Sequence, residues 1–317
     1  MKKLIASGLL NLWILLSGAC AGQDPIISQF FASPVNLNPA FAGATKDFRA
    51  SLNMRIHPLP DFSNVSTGSA SVDIYVPGLS GGLGLVATSD HTGNLFWQNQ
   101  IAAVYAYHLQ LHQNWFLNFG VQGGVLQSRF NWSKLEFIDP GQAPPVESGV
   151  MKTNFSAGLL TYNDRFYIGM AAHNLTRPET SLFGDERVPM KYTAHAGATL
   201  RPDRSFRANQ KGFDYFISPN IIFQHQDPFT RINYGLYFGT NSIMAGVWYR
   251  QDLVQSNTII FLIGIIQGNV QIGYSYDHSL SGFTDAFHAV HEMSLSYALF
   301  STTSRRSIYK ILNCPAF

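Results

Sequence analysis

FRASLNMRIH, residues 48–57, alternates without a break. Phe48, Ala50, Leu52, Met54 and Ile56 fall on one side, and Arg49, Ser51, Asn53, Arg55 and His57 on the other. A period of two is the signature of an extended strand with two unlike faces. The pattern recurs. In 231–239, Ile232, Tyr234, Leu236 and Phe238 oppose Arg231, Asn233, Gly235, Tyr237 and Gly239. In 269–277, Val270, Ile272, Tyr274 and Tyr276 oppose Asn269, Gln271, Gly273, Ser275 and Asp277. In 292–299, Met293, Leu295, Tyr297 and Leu299 oppose Glu292, Ser294, Ser296 and Ala298. Each run is about ten residues, the length a tilted strand needs to cross a bilayer, whereas strands of globular sandwiches are nearer five or six. A bulky apolar face suits lipid, and a polar face with glycines suits a wet lumen.

Composition points the same way. Charged residues make up 13% of the chain and aromatic residues 14%, with 27 glycines. A soluble domain carries roughly 25% charged residues. The longest apolar run, TIIFLIGII at 258–266, is half a membrane helix. A charge-poor, aromatic-rich chain of this kind reads as a transmembrane β-barrel, with a secreted β-sandwich or jelly roll as the rival. The expected fold is an all-β, antiparallel outer-membrane barrel of about fourteen strands. These lie near 48–57, 67–76, 81–89, 96–109, 114–130, 152–163, 165–174, 191–201, 213–225, 231–240, 242–251, 256–267, 269–277 and 290–300.

Loop lengths support that count. The second, fourth, sixth, tenth and twelfth connections are short, while the fifth (131–151), seventh (175–190) and thirteenth (278–289) are long. Such barrels have short periplasmic turns and long outer loops. The eighth connection, 202–212, is long on the short-turn side and carries Arg204, Arg207 and Lys211. Phe96-Trp97, Trp115-Phe116, Phe166-Tyr167 and Trp248-Tyr249 read as interfacial girdle aromatics.

The ends bound compartment and domains. Lys2-Lys3, an apolar run from Leu4 to Leu16 and the small residues Ala19-Cys20-Ala21 form a secretory signal peptide, 1–22. A lipobox at Cys20 is the alternative, but Ser17 stands where that motif prefers Leu. Without Cys20 only Cys314 remains, which excludes an internal disulfide and a cysteine-built zinc site. Loss of Lys2 and Lys3 leaves nineteen residues of each charge sign, so nothing argues for nucleic acid. The expected organisation is an N-terminal motif segment at 23–47, a barrel at 48–300 and a periplasmic tail at 301–317. An even strand number puts both termini in the periplasm.

The segment Asn36-Leu37-Asn38-Pro39-Ala40-Phe41-Ala42-Gly43 is neither helix nor strand by pattern. Prolines fix φ, asparagines bond to the backbone in turns, and Gly43 can take positive φ. It reads as an ordered cap or docking surface, with Gln29, Asn36, Asn38, Pro39, Ala40, Phe41 and Gly43 as its working residues. A rigid lead-in to the first strand is the simpler reading. Arg49, Arg55, His195, Arg231, Asn233, Gln271, Asp277 and Glu292 read as lumen-lining, with His195 hydrated. Such arginines suit contact with polypeptide, or plug the barrel as ion pairs. No catalytic, cofactor or metal site is expected. The histidines form no HExxH, Asp90-His91 and Asp277-His278 read as solvated outer positions, and Gly82-Leu83-Gly84 precedes a strand rather than a helix.

Gln23-Asp24-Pro25, Ser28-Gln29-Phe30-Phe31, Pro34 and Asn36–Gly43 closely resemble the start of the PorP/SprF family, outer-membrane proteins of the type IX secretion system in Bacteroidota. His173-Asn174-Leu175-Thr176-Arg177-Pro178, Tyr274-Ser275-Tyr276-Asp277, His291-Glu292 and the ending Asn313-Cys314-Pro315-Ala316-Phe317 extend the likeness over nearly the whole mature chain. One departure is Arg55 followed by Ile56-His57-Pro58, where the family usually has an aromatic. The resemblance implies a part in export or surface retention of cargo bearing C-terminal secretion domains, including gliding adhesins. Its partners would be that cargo, outer-membrane lipid and other secretion components in the periplasm. The basic Arg204, Arg207 and Lys211, with Arg305, Arg306, Cys314, Pro315 and Phe317 of the tail, are the expected periplasmic docking residues. The alternative is a channel for hydrophobic or small solutes, because such barrels also carry an N-terminal hatch, often with Asn-Pro-Ala, and Asn38-Pro39-Ala40 matches it.

Overall fold

The computed structural model describes residues 24–58, 64–93, 95–132, 147–180, 187–201, 215–240, 242–253, 257–280 and 289–299. The signal peptide, the tail from 300 and the basic part of the eighth connection lie outside them, and with them Arg204, Arg207, Lys211, Arg305, Arg306, Cys314, Pro315 and Phe317.

Fourteen strands follow in order: β1 Phe48–His57, β2 Val65–Val76, β3 Gly81–Thr92, β4 Phe96–His112, β5 Trp115–Asn131, β6 Glu147–Tyr162, β7 Phe166–His173, β8 Lys191–Ala198, β9 Tyr215–Gln226, β10 Phe229–Thr240, β11 Ile243–Asp252, β12 Thr258–Gln267, β13 Val270–Ser279 and β14 Ala289–Leu299. Each pairs antiparallel with its sequence neighbours, and β1 closes on β14 from Phe48 against Leu299 to Ile56 against His291. Closure satisfies every ladder edge, the condition for backbone to cross lipid as strands. No described helix is long and apolar enough to span.

The alternation assigns the faces. Leu52 and Met54 are 55% and 54% exposed, while Asn53 between them is 5% exposed. Cross-strand neighbours on the inner face pair by charge. Arg49 lies opposite Asp73 and Arg231 opposite Asp252, with ion pairs of 2.9 and 2.6 Å.

Three expectations need correction. Residues 147–151, read as loop, extend β6 against Gln127–Asn131, because a ladder with long β5 outweighs their weak alternation. Asp90-His91 and Asp277-His278 belong to β3 and β13, and Asp277 is buried in the lumen. In the proposed girdle pairs only one ring of two can face lipid. Trp115 and Phe166 are exposed, whereas Tyr167 is buried and Trp248 is 1% exposed inside the barrel. Adjacent strand residues point to opposite faces, so a pair never serves one interface.

Candidate functional site: a plug seated in the barrel

The lumen is filled by the chain's own residues 24–47. Ser28 to Ala44 are buried almost throughout, around a one-turn helix α1 (Pro34–Leu37) and a 3-10 turn (Pro39–Phe41). Each starts on a proline, whose fixed φ suits the first helical position and whose missing N–H leaves no orphan. The segment runs the length of the barrel. Asp24 meets Asn174, Lys191 and Gln226 at the long-loop end, and Gly43 meets Asp73 and Gly82 near the short turns where β1 begins. The expectation placed both termini at the short-turn end. The described N-terminal residues instead begin at the other end.

Three anchors hold the plug. The first is ionic. Glu292 accepts the backbone N–H groups of Ser28 and Gln29, both at 2.8 Å, and the Asn53 amide at 2.8 Å. The Ser28 hydroxyl donates to Asp277 at 2.6 Å and accepts from Arg55 and Arg250 at 2.7 and 2.6 Å. Arg55 also bridges Asp277 and Glu292 at 2.8 and 3.1 Å, and Arg250 reaches Asp277 at 3.3 Å. Two guanidinium groups and two carboxylates therefore cancel in a largely buried site, which is what makes such burial tolerable. Gln29 completes the anchor, donating to the Glu292 carbonyl and Ser275 and accepting from Ser294.

The second anchor is aromatic. Phe30 packs on Trp248 with ring centroids 5.5 Å apart, and Phe31 meets Tyr237 edge-on at 5.9 Å. Gly235 leaves the room Trp248 needs, since a Cβ there would lie 2.3 Å from the indole.

The third anchor is the Asn-Pro-Ala knot. The Asn38 side-chain oxygen caps the 3-10 turn by accepting from the Ala40 N–H at 2.9 Å. Its nitrogen donates to the carbonyls of Leu159 and Met170 at 2.9 and 3.2 Å and lies 3.1 Å from His195 Nε2. One side chain thus ties the plug to β6, β7 and β8. Phe41 stacks on His195 at 5.3 Å, so this histidine is covered by the plug rather than hydrated. Asn118 donates to the Ala40 carbonyl, and His108 and His173 contact the carbonyls of Ala42 and Leu37. Gly43, at φ +65°, donates to Asp73 at 2.8 Å and touches Gly82 so closely that a Cβ on either would overlap backbone.

Gln29, Asn38, Pro39, Ala40, Phe41 and Gly43 therefore all contact the inside wall. The Asn36 amide bonds within the plug, to the Ser33 hydroxyl. Arg49, His195, Arg231, Asn233, Asp277 and Glu292 are buried facing inward, and Arg55 and Gln271 share their face half-buried. Sequence reading gave no site role to Asp24, Ser28, Asp73, His108, Asn118, His173 and Arg250. The inward parity of Arg250, two residues from Trp248 and set by the same alternation, was the available signal. Ser28 carried no such signal, because it lies outside the alternating strands and three of its partners, Asp277, Glu292 and Arg250, lie more than 200 residues away. Asp24 lies outside the spanning strands. Burial pushes its carboxyl up, but Lys191 at 2.9 Å and Asn174 at 3.0 Å outweigh that and hold it below its ordinary value.

Among the described residues, no three His, Cys, Asp or Glu converge as a metal site. The lumen is occupied by the chain's own N-terminal segment.

Among solved structures the chain resembles the Ralstonia pickettii toluene transporter TbuX, at 10% identity over 84% of this chain and 93% of that one, TM-score 0.51. It also resembles the CymD monoaromatic hydrocarbon channel (13% identity, 85% and 93% covered, TM-score 0.44). A third likeness is a Pseudomonas aeruginosa FadL homologue (12% identity, 84% and 94% covered, TM-score 0.41). At such identity the TbuX likeness shows the barrel fold alone. No curated protein matches the sequence. Residues 19–297 match the family described as type IX secretion system membrane protein PorP/SprF. The chain belongs to the PorP/SprF family of type IX secretion system membrane proteins.

Proposed function

We propose that this protein is a plugged outer-membrane barrel of the type IX secretion system that assists export or surface anchoring of cargo with C-terminal secretion domains, gliding adhesins among them. The observation that carries this reading, beside family membership, is the seated plug. A barrel whose lumen is filled by residues 28–44 of its own chain is built to hold partners at its rims rather than to conduct a polypeptide. The short turns face the periplasm in this reading, as in other outer-membrane barrels. Leu299 then lies at the periplasmic end of β14, and Asp24 sits toward the cell surface. The basic residues of the eighth connection and the tail, Arg204, Arg207, Lys211, Arg305 and Arg306, supply the charge to attract an acidic periplasmic component. That binding is expected to weaken as salt rises.

The test compares surface and culture-medium proteomes of cells with and without this chain. Selective loss of one or a few proteins sharing a C-terminal secretion domain supports the proposal. An unchanged secretome overturns it and favours solute uptake, with Asn38-Pro39-Ala40 as a hatch.

A further inference from the structure

The plug is a folded unit of its own. Among the described residues, the backbone–backbone hydrogen bonds of 28–46 all stay inside it, from the Ala32 N–H on the Gln29 carbonyl to the Lys46 N–H on the Gly43 carbonyl. Its polar hold on the wall passes through side chains, among them Glu292, Asp73 and Asn118 of the wall and Asn38 of the plug. It can therefore leave its seat without losing a backbone bond of its own and without opening the barrel ladder. Its tether lies at one end. Residues 45–47 join it to β1 at the short turns, where Gly43 and Lys46 hold φ of +65° and +60°. Three residues reach about 10 Å at full stretch, against an apolar band of about 25 Å. That tether is too short to let the unit out past the long loops, whereas the short-turn mouth lies beside it.

The wall behind the plug is suited to water. The hydroxyls of Ser69, Ser128 and Thr193 and the amide nitrogen of Asn233 belong to buried inward residues, none more than 7% exposed, and have no hydrogen-bond partner. Such groups are costly while covered and gain water once uncovered, which offsets part of what the three anchors supply. Barrels of about eight strands are filled by their own side chains, and those of sixteen or more leave an aqueous channel. With fourteen strands, this lumen has room for residues 28–44 as well as its wall side chains. We infer that the plug withdraws as a unit through the short-turn mouth and opens a water-filled pore for small ions. The inference goes beyond the proposed secretion role and does not depend on it.

The experiment records single channels of the full mature chain in planar bilayers of potassium chloride solution. A closed baseline broken by brief openings is expected. Pro25, half-buried at the long-loop end, is then replaced in Pro25→Cys/Cys314→Ser, which leaves one cysteine in the mature chain, and that thiol is biotinylated through a long linker. Streptavidin on the long-loop side should stop the openings, because it cannot follow the plug through the lumen. Streptavidin on the short-turn side should catch the emerged biotin and lock the pore open. Thr193→Val/Ser128→Ala removes two hydroxyls that gain water on opening, so the open probability should fall about tenfold. Thr193→Val alone should lower it about threefold if the double variant does not fold. An absence of openings, openings that streptavidin leaves unchanged from both sides, locking from the long-loop side, or an unchanged open probability in a folded wall variant would overturn the inference. The proteome comparison reads cargo and the bilayer reads the plug, so either reading can fail while the other stands.

Discussion

Asn38→Ala isolates the knot that seats the plug. In the native barrel Asn38 is fully buried and makes four polar contacts, to Ala40, Leu159, Met170 and His195. Truncation leaves the buried Ala40 N–H without an acceptor, a loss of about 1–3 kcal/mol, and removes the donor shared by two carbonyls and an imidazole, about another 1 kcal/mol net. The sum is about 3 kcal/mol, which multiplies the unseated population of the plug roughly a hundredfold. Strand pairing does not pass through Asn38, so the barrel itself should stay closed. Hydrogen exchange separates the two. Amides of Phe41, Ala42, Gly43 and Ala44 bond to Asn38, Pro39, Asp73 and Phe41 and should exchange about a hundred times faster, while ladder amides keep their protection. Planar-bilayer conductance should rise in parallel from a closed baseline. Acceleration below about threefold at these amides would refute the idea that Asn38 seats the plug. Equal acceleration in plug and strands would show that it stabilises the whole barrel instead.

Glu292→Gln should cost about 3–5 kcal/mol, because it leaves Arg55 and Arg250 facing Asp277 alone in a buried site; the heat-induced mobility shift on gels should move to lower temperature. Gly82→Ala places a methyl 2.1 Å from the Ala42 carbonyl oxygen, backbone that has no easy way to yield, and should destabilise plug seating by about 1–3 kcal/mol. Faster proteolysis within 28–44 of an otherwise intact barrel would report it. For pH, the Asp24 carboxyl is held below its ordinary 3.8, so its tether to Lys191 and Asn174 is at full strength above that value and is lost as pH falls through the lower folded one. Exchange of the Ile26 to Ser28 amides, corrected for the intrinsic rate, should accelerate only below about pH 4 and become flat with pH in Asp24→Asn.

Much of this was legible from residues 48–57 alone. A strand's faces follow from a period of two, so one reading of FRASLNMRIH predicts that Leu52 meets lipid and Asn53 the lumen, with no knowledge of neighbours. The same local rule places Arg231, Asn233 and Glu292 inside. It also held the means to see that Trp248 and Tyr167 could not share an interface with the residues beside them. Pro34, Pro39 and Gly43 marked the N-terminal segment as ordered, because their constraints act within a turn.

Where that segment goes was decided elsewhere. Gly43 finds Asp73 once β2 pairs with β1, and Ser28 finds Glu292 and Asp277 only after β1 closes on β14 and brings those side chains around one lumen. A hydrogen bond spanning more than 200 residues leaves no periodic trace in either partner. Alternation states that a side chain faces inward, and closure determines what it meets there. The sequence by itself therefore determined the barrel and its two faces, while the tertiary structure decided that the lumen is filled and which aromatic rings hold Phe30 and Phe31.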